Sequence, residues 1–356
     1  MKSFKENVEI NNKNYDDRFN AIIKPQEYPK KLMNSIFLAG PCPRKKTDDD
    51  WRDDFCKKLI KKGFKGDIIN PTNRNWVDDE PNYYQKQCQW EQDMMKMSSV
   101  VIFRIDRNAQ HPALTTNIEF GKWSDRPNDI IVCIPPKSEK CNYIINDCKM
   151  NNIPLCDNDD DLIDMIIKRF NRPQKTFYTA DTHLGAKRTF ELSKRPFKNV
   201  HEMDMQIVSN WNKKITCNDV VYHLGDFGDS KYLSLLNYKE LHIIEGNYER
   251  KEALSLPSDR NIFYHHNPIL KKLDGGEEVL LMHEPISVVE PEHVVPSDTF
   301  CFFAHSHRVD YKRNGINVGI DSYLDFAPLS EKECLFWKDA VQKYYDDNAF
   351  VERCEF

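Results

Sequence analysis

The chain has 356 residues, enough for two domains at roughly 100–200 residues each. Its 40% hydrophobic and 30% charged content supplies packed cores and excludes a disordered chain. No run approaches the roughly 18–20 apolar residues of a membrane span, and a formal net charge of −5 without a long basic run argues against a dedicated duplex binder.

The start, MKSFKENVEI, has no apolar stretch of signal-peptide length, so a cytoplasmic location is expected. Eleven cysteines without any C-x-x-C spacing read as reduced structural thiols. Glycine is scarce, only 12 residues, so Gly40, Gly121, Gly185, Gly225, Gly246 and Gly319 are expected to mark backbone needs near sites.

Residues 1–34 are polar, rich in Lys and Asn and without periodicity, and are read as an N-terminal arm. From Ser35 short apolar runs, Ser35–Ala39, Asp67–Ile69, Ser99–Ile105 and Asp129–Ile134, alternate with helical segments. In the first helix Trp51, Phe55 and Leu59 recur at i, i+4 and i+8, with Thr47 as cap and Gly63 as stop. Strands apolar almost throughout and separated by helices predict a doubly wound parallel sheet, flavodoxin- or Rossmann-like, over residues 35–171. Its last helix is expected at Asp160–Phe170.

Asn171–Lys175 (NRPQK) reads as the seam before a second domain, 176–356. There the expected strands are Thr176–Ala180, Val220–Leu224, Leu241–Glu245, Val279–Met282, Thr299–Ala304 and Ile316–Ile320. A helix is expected at Val200–Ile215 and a closing one at Glu331–Asp347, giving a mixed, layered αβ domain. The stretch Lys187–Lys198 (KRTFELSKRPFK) is either a solvated loop or a rim that attracts phosphorylated substrates.

Metal-ligand residue types end successive strands of the second domain. Asp181-Thr-His183 follows the first run, Gly225-Asp226 the second and Gly246-Asn247-Tyr248-Glu249 the third. His283 follows the fourth and Ala304-His305-Ser306-His307 the fifth. Strand exits are where such folds build sites, and hard-to-borderline ligands in this order point to divalent metal. This order, with TADTHLG, RPF, NWN, VVYHLGDFGD and NVGID, resembles the calcineurin-like metallophosphoesterase superfamily over Thr176–Ser330. The resemblance implies an αββα layered fold and two divalent ions, of Mn, Fe, Zn or Ni. Asp181, His183 and His307 would hold one, Asn247, His283 and His305 the other, and Asp226 would bridge them.

Two positions depart from that pattern. Tyr248 stands where the family usually has a His that assists the phosphoryl group or the leaving oxygen, and tyrosine is a poor proton donor near neutral pH. A substrate with a good leaving group, or a proton from His223, His265 or His266, would compensate. Ala304 replaces a loop glycine, a minor change.

In the first domain, SIFLAGPCPR (Ser35–Arg44) runs a strand into a Gly-Pro turn. Gln89-Trp90-Glu91 lies in a predicted helix, and TTNIEFG (Thr115–Gly121) opens another, with Glu119 at the carboxyl end of the sheet. Together these resemble the nucleoside 2-deoxyribosyltransferase-like superfamily over about Ser35–Ile145. The resemblance implies that Glu119 is a nucleophile attacking the anomeric carbon of a (deoxy)ribose, with Glu91 as second carboxylate. Gly40 and Pro41 would shape the sugar or phosphate pocket, with Asn117 as a further substrate-binding residue, while Asp106 and Arg107, just past a strand end, either contact base or phosphate or form a surface ion pair. Trp90 and Trp123 either stack on a base or pack in the core.

The combined expectation is a bifunctional nucleotide-processing enzyme: N-glycosidic cleavage or transfer in one half, phosphoester hydrolysis in the other. The alternative is a phosphoesterase, acting on monoesters, cyclic nucleotides or nucleic-acid ends, with a silent nucleotide-binding module. Nucleosides or nucleotides are the expected partners, nucleic acid is disfavoured by the charge, no membrane partner is expected, and a homo-oligomer is left open.

Overall fold

The structure, a computed structural model, describes residues 8–11, 22–23, 25–43, 49–73, 82–109, 111–285, 299–323 and 325–346. The chain divides into two compact units. One is Asn14–Pro173 with Leu235–Asn237; the other is Met1–Lys13 with Gln174–Ser234 and Tyr238–Phe356. No helix among the described residues is long and apolar enough to cross a membrane.

The first unit is a six-stranded parallel sheet, Rossmann-like in organisation. The strand order is Ile22–Ile23, Ile68–Ile69, Ile36–Ala39, Val100–Arg104, Ile130–Cys133, Leu155–Cys156. Its strands are apolar on both sides because both faces are covered. Ile36, Leu38, Val100 and Ile102 pack with Phe55, Leu59, Leu162 and Ile166 from the helices Trp51–Lys61 and Asp159–Phe170. On the opposite face Phe37 meets Trp90 of the helix Tyr83–Met97, and Phe103 meets Phe120 of the helix Leu114–Trp123. The strand order reverses between Ile36–Ala39 and Val100–Arg104, and the crevice at such a switch point is where open α/β sheets bind ligands.

The second unit has two mixed sheets. The first runs Val8–Asn11, Ile262–His265, Glu240–Ile244, Val220–His223, Thr176–Thr179, Leu329–Ser330, with four parallel inner strands and two antiparallel edges. The second runs Ile269–Lys272, Glu278–Leu281, Phe300–Phe303, Gly315–Asn317, Tyr311–Lys312. The sheets share one apolar cluster: Tyr178, Tyr222 and Ile244 from the first, Val279, Leu281, Phe302 and Ile316 from the second. The helix Glu331–Tyr344 adds Cys334 and Val341.

Several elements differ from expectation. The polar arm does not stand apart: Val8–Asn11 is an edge strand of the second unit and Ile22–Ile23 an edge strand of the first. Edge pairing satisfies backbone groups and needs little apolar periodicity, so composition conceals it. The first helix is capped by Asp50, whose side chain accepts from the Arg52 N–H, while Thr47, Arg44 and Asp347 lie outside the described residues. Strands Ile262–His265 and Ile269–Lys272 were not anticipated, being short and rich in His and Lys. Gly121 lies within a helix and a Cβ there would meet nothing within 4 Å, so it marks no backbone need.

Candidate functional sites

In the first unit, a cavity of about 390 Å³ opens at the switch point. The Gly40-Pro41 turn walls one side; Gln87 and Glu91 face it from one helix, and Thr116 and Glu119 from another. The turn is built around Arg52, whose buried guanidinium donates to the carbonyls of Leu38 (2.9 Å), Gly40 (2.9 Å) and Pro41 (3.1 Å). Asp50 neutralises it at 3.1 Å, and Asp50 in turn accepts from the Thr72 hydroxyl at 2.5 Å. A Cβ on Gly40 would stand 2.5 Å from the Arg104 carbonyl, so only glycine lets these neighbouring strand ends close up.

The two glutamates differ in their support. Glu91 accepts from the Gln87 amide at 2.8 Å, and burial holds it above the usual carboxylate range. Burial pushes Glu119 up to about 8; the nearby Glu91 charge adds to the rise, and Arg52 and Lys122 oppose it. Burial, with a second carboxylate sharing the cavity and resisting double ionisation, keeps a proton at Glu119 near neutral pH.

In the second unit the ligand-type residues converge. Nε2 of His183 and of His283 lie 3.4 and 3.5 Å from Asp226 Oδ2. Asn247 Oδ1 is 3.1 Å from both His283 Nε2 and His305 Nδ1. Two groups present ligand atoms mutually within 4.8 Å: Asp181, His183 and His307, and Asp181, Asp226 and His283. Asp181 is common to both groups, while Asp226 faces His183 on one side and His283 on the other.

The backbone is bent to achieve this. Asp181, His183, Asp226, His305 and His307 all have φ between 45° and 75°, the left-handed region that costs a non-glycine residue about 1 kcal/mol or more. Glycines allow the close approach: a Cβ on Gly246 would lie 2.3 Å from Asp226 Oδ1, and one on Gly319 2.6 Å from Asp181 Oδ2. Glu249 clamps two loops, accepting from the N–H groups of Asp226, Phe227 and Gly246 at 2.8–2.9 Å.

A second layer orients the imidazoles. Asp321 holds His307 Nδ1 at 2.7 Å and receives both Nε and Nη2 of buried Arg195 at 2.8 Å, while Arg195 also donates to the carbonyls of Asp181 and Thr182. His283 Nδ1 faces the Leu224 carbonyl at 2.7 Å, which turns Nε2 toward Asp226. Burial lowers His183 to about 3, leaving a neutral imidazole suited to ligation. Burial works against ionised Asp226, but the hydrogen bond and charge of His283 hold it at about 2.

The donor set fits divalent cations. Asp181 Oδ1 and both ring nitrogens of His183 are buried without a hydrogen-bond partner, and coordination through Asp181 Oδ1 and one His183 nitrogen would satisfy two of these three atoms.

Residues 33–137 match the family model described as nucleoside 2-deoxyribosyltransferase like. The first unit thus carries a nucleoside 2-deoxyribosyltransferase-like domain. An uncharacterized protein of Methanocaldococcus jannaschii is 28% identical over 173 residues, 44% of this chain and 87% of that protein. A crystal structure of a protein of unknown function, AQ665 from Aquifex aeolicus, matches 46% of this chain and 99% of its own at 20% identity, with a TM-score of 0.35.

Within the deoxyribosyltransferase-like domain, Gly40, Pro41, Glu91 and Glu119 line one cavity. Asp106, Arg107 and Asn117 do not line it. Asp106 pairs with Arg104 at 3.1 Å, whereas Arg107 donates to Asn117 Oδ1 at 3.1 Å and to the Glu139 and Lys140 carbonyls, so these groups staple neighbouring loops. Trp90 is packed, its indole N–H on the Glu27 carbonyl, while buried Trp123 presents an edge to an adjoining cavity.

In the second unit Asp181, His183, Asp226, Asn247, His283 and His305 come together with His307, and Tyr248 lies edge-on to His183 at 4.6 Å. Of the compensating histidines, His223 is fully buried against the Thr182 hydroxyl, His265 faces His242 and His266 faces Glu245. Within the basic stretch Lys187–Lys198, Arg195 is buried as the partner of Asp321.

Sequence reasoning missed Arg52; it contained Arg195 in RPF, Asp321 in NVGID and Glu249 after Tyr248, but gave none of the three a role. A signal existed for Arg52, which falls on the apolar helix face with Phe55, Cys56 and Leu59, where an arginine must find buried partners. Nothing in local spacing shows that Arg195 pairs with Asp321, which lies 126 positions away.

Proposed function

We propose that the chain is a bifunctional nucleotide-processing enzyme, cleaving or exchanging an N-glycosidic bond in the first unit and hydrolysing a phosphoester in the second. The paired carboxylates Glu91 and Glu119 beneath the Gly40-Pro41 turn carry the first half of this reading. Ionised Glu119 attacks the anomeric carbon, the C–N bond breaks, and the base departs with its electron pair and takes up a proton. Water or a second base then displaces Glu119. Glu91, held by Gln87, stabilises the positive charge that develops on the sugar. Substrate binding must favour loss of the Glu119 proton, since burial holds that carboxyl at about 8.

The convergence of five ligand-type side chains, His183, Asn247, His283, His305 and His307, around Asp181 and Asp226 carries the second half. Asp181, His183, Asp226 and His307 would hold one divalent cation, and Asp226, Asn247, His283 and His305 another, of Mn, Fe, Zn or Ni. Such a pair supplies Lewis acidity toward a phosphoryl group and a lowered pKa for water. Arg195 and Asp321 keep His307 in one tautomer and direction. Tyr248, fixed by its N–H on Asp226 Oδ1 (2.9 Å), offers a hydrogen bond rather than a proton and suits substrates with good leaving groups. A cytoplasmic enzyme acting on nucleosides and nucleotides fits this reading.

The test is release of free base and of phosphate from a (deoxy)nucleoside and nucleotide panel by the metal-loaded protein. The alternative of a silent binding module is favoured by the burial of Glu119 beside Glu91, which raises its carboxyl and makes it a poorer nucleophile near pH 7. No base release by the wild type, with ligand binding that survives Glu119→Gln, would establish the module.

A further inference from the structure

The carboxylate pair also lines a second cavity, of about 300 Å³, on the Trp123 side. Tyr84, Cys88, Glu91, Thr115 and Glu119 line both cavities. The cavities differ in charge. Among its described lining residues, the Gly40-Pro41 cavity has no lysine or arginine and is walled by Phe37, Ala39, Pro71, Pro112 and Ala113. The second is lined by Lys96, Lys122 and Arg126, with Met95, Ile118 and Trp123 as its apolar wall.

The helical repeat explains the sorting. Thr115, Ile118, Glu119, Lys122 and Trp123 recur at three- and four-residue steps on one helix, and Tyr84, Cys88, Glu91, Met95 and Lys96 form a matching stripe on the other. Beyond each glutamate toward the helix C-terminus each helix therefore offers a cation to this cavity, Lys122 three residues after Glu119 and Lys96 five after Glu91. Lys122 is near enough to Glu119 to oppose the rise of its pKa, and Arg126 lies over the Trp123 ring at 5.3 Å. An anion seated here would be bound by the lysines and the Arg fork while its remainder stays beside the carboxylates.

Resting on the proposed glycosidic reading, we propose that this second cavity is an anion subsite and that the first unit takes nucleoside 5′-monophosphates in preference to nucleosides. The base is carried on C1′ and the 5′-phosphate on C4′ through C5′, on either side of the ring oxygen. With the sugar at Glu91 and Glu119, the base enters the apolar cavity and the 5′-phosphate meets Lys96, Lys122 and Arg126.

Binding of the four 2′-deoxynucleosides and four ribonucleosides, each with its 5′-monophosphate, is measured by calorimetry on the full chain. Glu119→Gln prevents turnover in the first unit, and EDTA silences metal-dependent phosphate release. The expected result is at least one base for which the monophosphate binds tenfold or more tightly than the nucleoside, a preference that shrinks as salt rises. In Lys122→Ala/Arg126→Ala the ratio should fall to about one, and Lys122→Arg should restore part of it.

Equal affinities in the parent protein, or a preference that survives Lys96→Ala/Lys122→Ala/Arg126→Ala, would overturn the subsite. Base release from nucleosides by wild type would then leave the glycosidic reading standing. Absence of both binding and base release across the panel would overturn both.

Discussion

The two units assemble their sites from opposite resources. In the first, side chains project from two regular helices, and the irregular part is a Gly-Pro turn held by one buried arginine. In the second, five ligand-type residues sit in left-handed backbone at strand exits, held by Glu249, Arg195 and tight glycine contacts. Gathering a sugar between two carboxylates tolerates helix geometry. Bringing imidazole and carboxylate atoms within 4.8 Å of one another does not, and the strain must be offset by the surrounding clamps. The first site is tuned by desolvation of acids, the second by fixed orientation of bases.

The sharpest way to break this comparison is to disable one site at a time. Glu119→Gln should reduce base release by about 10³-fold or more while sparing phosphate release, and Asp226→Asn should do the reverse. Loss of both activities in a folded single mutant, followed by parallel base and phosphate assays, would show that the sites are not independent. Next in size is Arg52→Met, which strands Asp50 and three carbonyls in the interior. It should cost about 3–5 kcal/mol in urea unfolding of the first unit and leave metal binding by the second intact.

Asp321→Asn tests orientation in the second site. It removes the charge shared by His307 and Arg195 and should weaken divalent-metal affinity by about 10–100-fold in a competition titration. The pH profile sharpens the contrast further. Glu119 must lose its proton to attack, and its carboxyl sits near 8, so kcat/KM for base release should climb about tenfold per pH unit below 8 and level above it. The same raised acid means the folded state keeps a proton that the unfolded chain releases above its ordinary carboxylate range. The group therefore costs stability increasingly from about pH 4.5 to 8, and Glu119→Gln should remove that slope in pH-dependent melting. The smallest effect is expected from Tyr248→His: a several-fold gain on alkyl phosphoesters and little change on nitrophenyl esters.

Much of the first unit was legible because its logic is local. Continuous apolar strands such as Val100–Arg104, and helices patterned like Trp51–Lys61, declare a covered parallel sheet, and Glu91 and Glu119 lie within recognisable local stretches. In the second unit the clustered Asp, His and Asn side chains were legible for the same reason, each following an apolar run. For Asp106 and Arg107 local sequence leaves two readings open, because a charged group past a strand end reads alike whether it faces a cavity or, as here, ties down neighbouring loops.

By itself the sequence determined which residues are apolar at which period, hence the alternating elements, the strand ends and the chemical types waiting there. Tertiary structure alone decided what those types meet: that Arg195 reaches Asp321 across 126 positions, that Glu249 holds two loops, and that Lys96 and Lys122, from different helices, line one cavity. Periodicity is a property of neighbours along the chain, whereas electrostatic partnership and desolvation depend on distances that exist only once the sheets have closed.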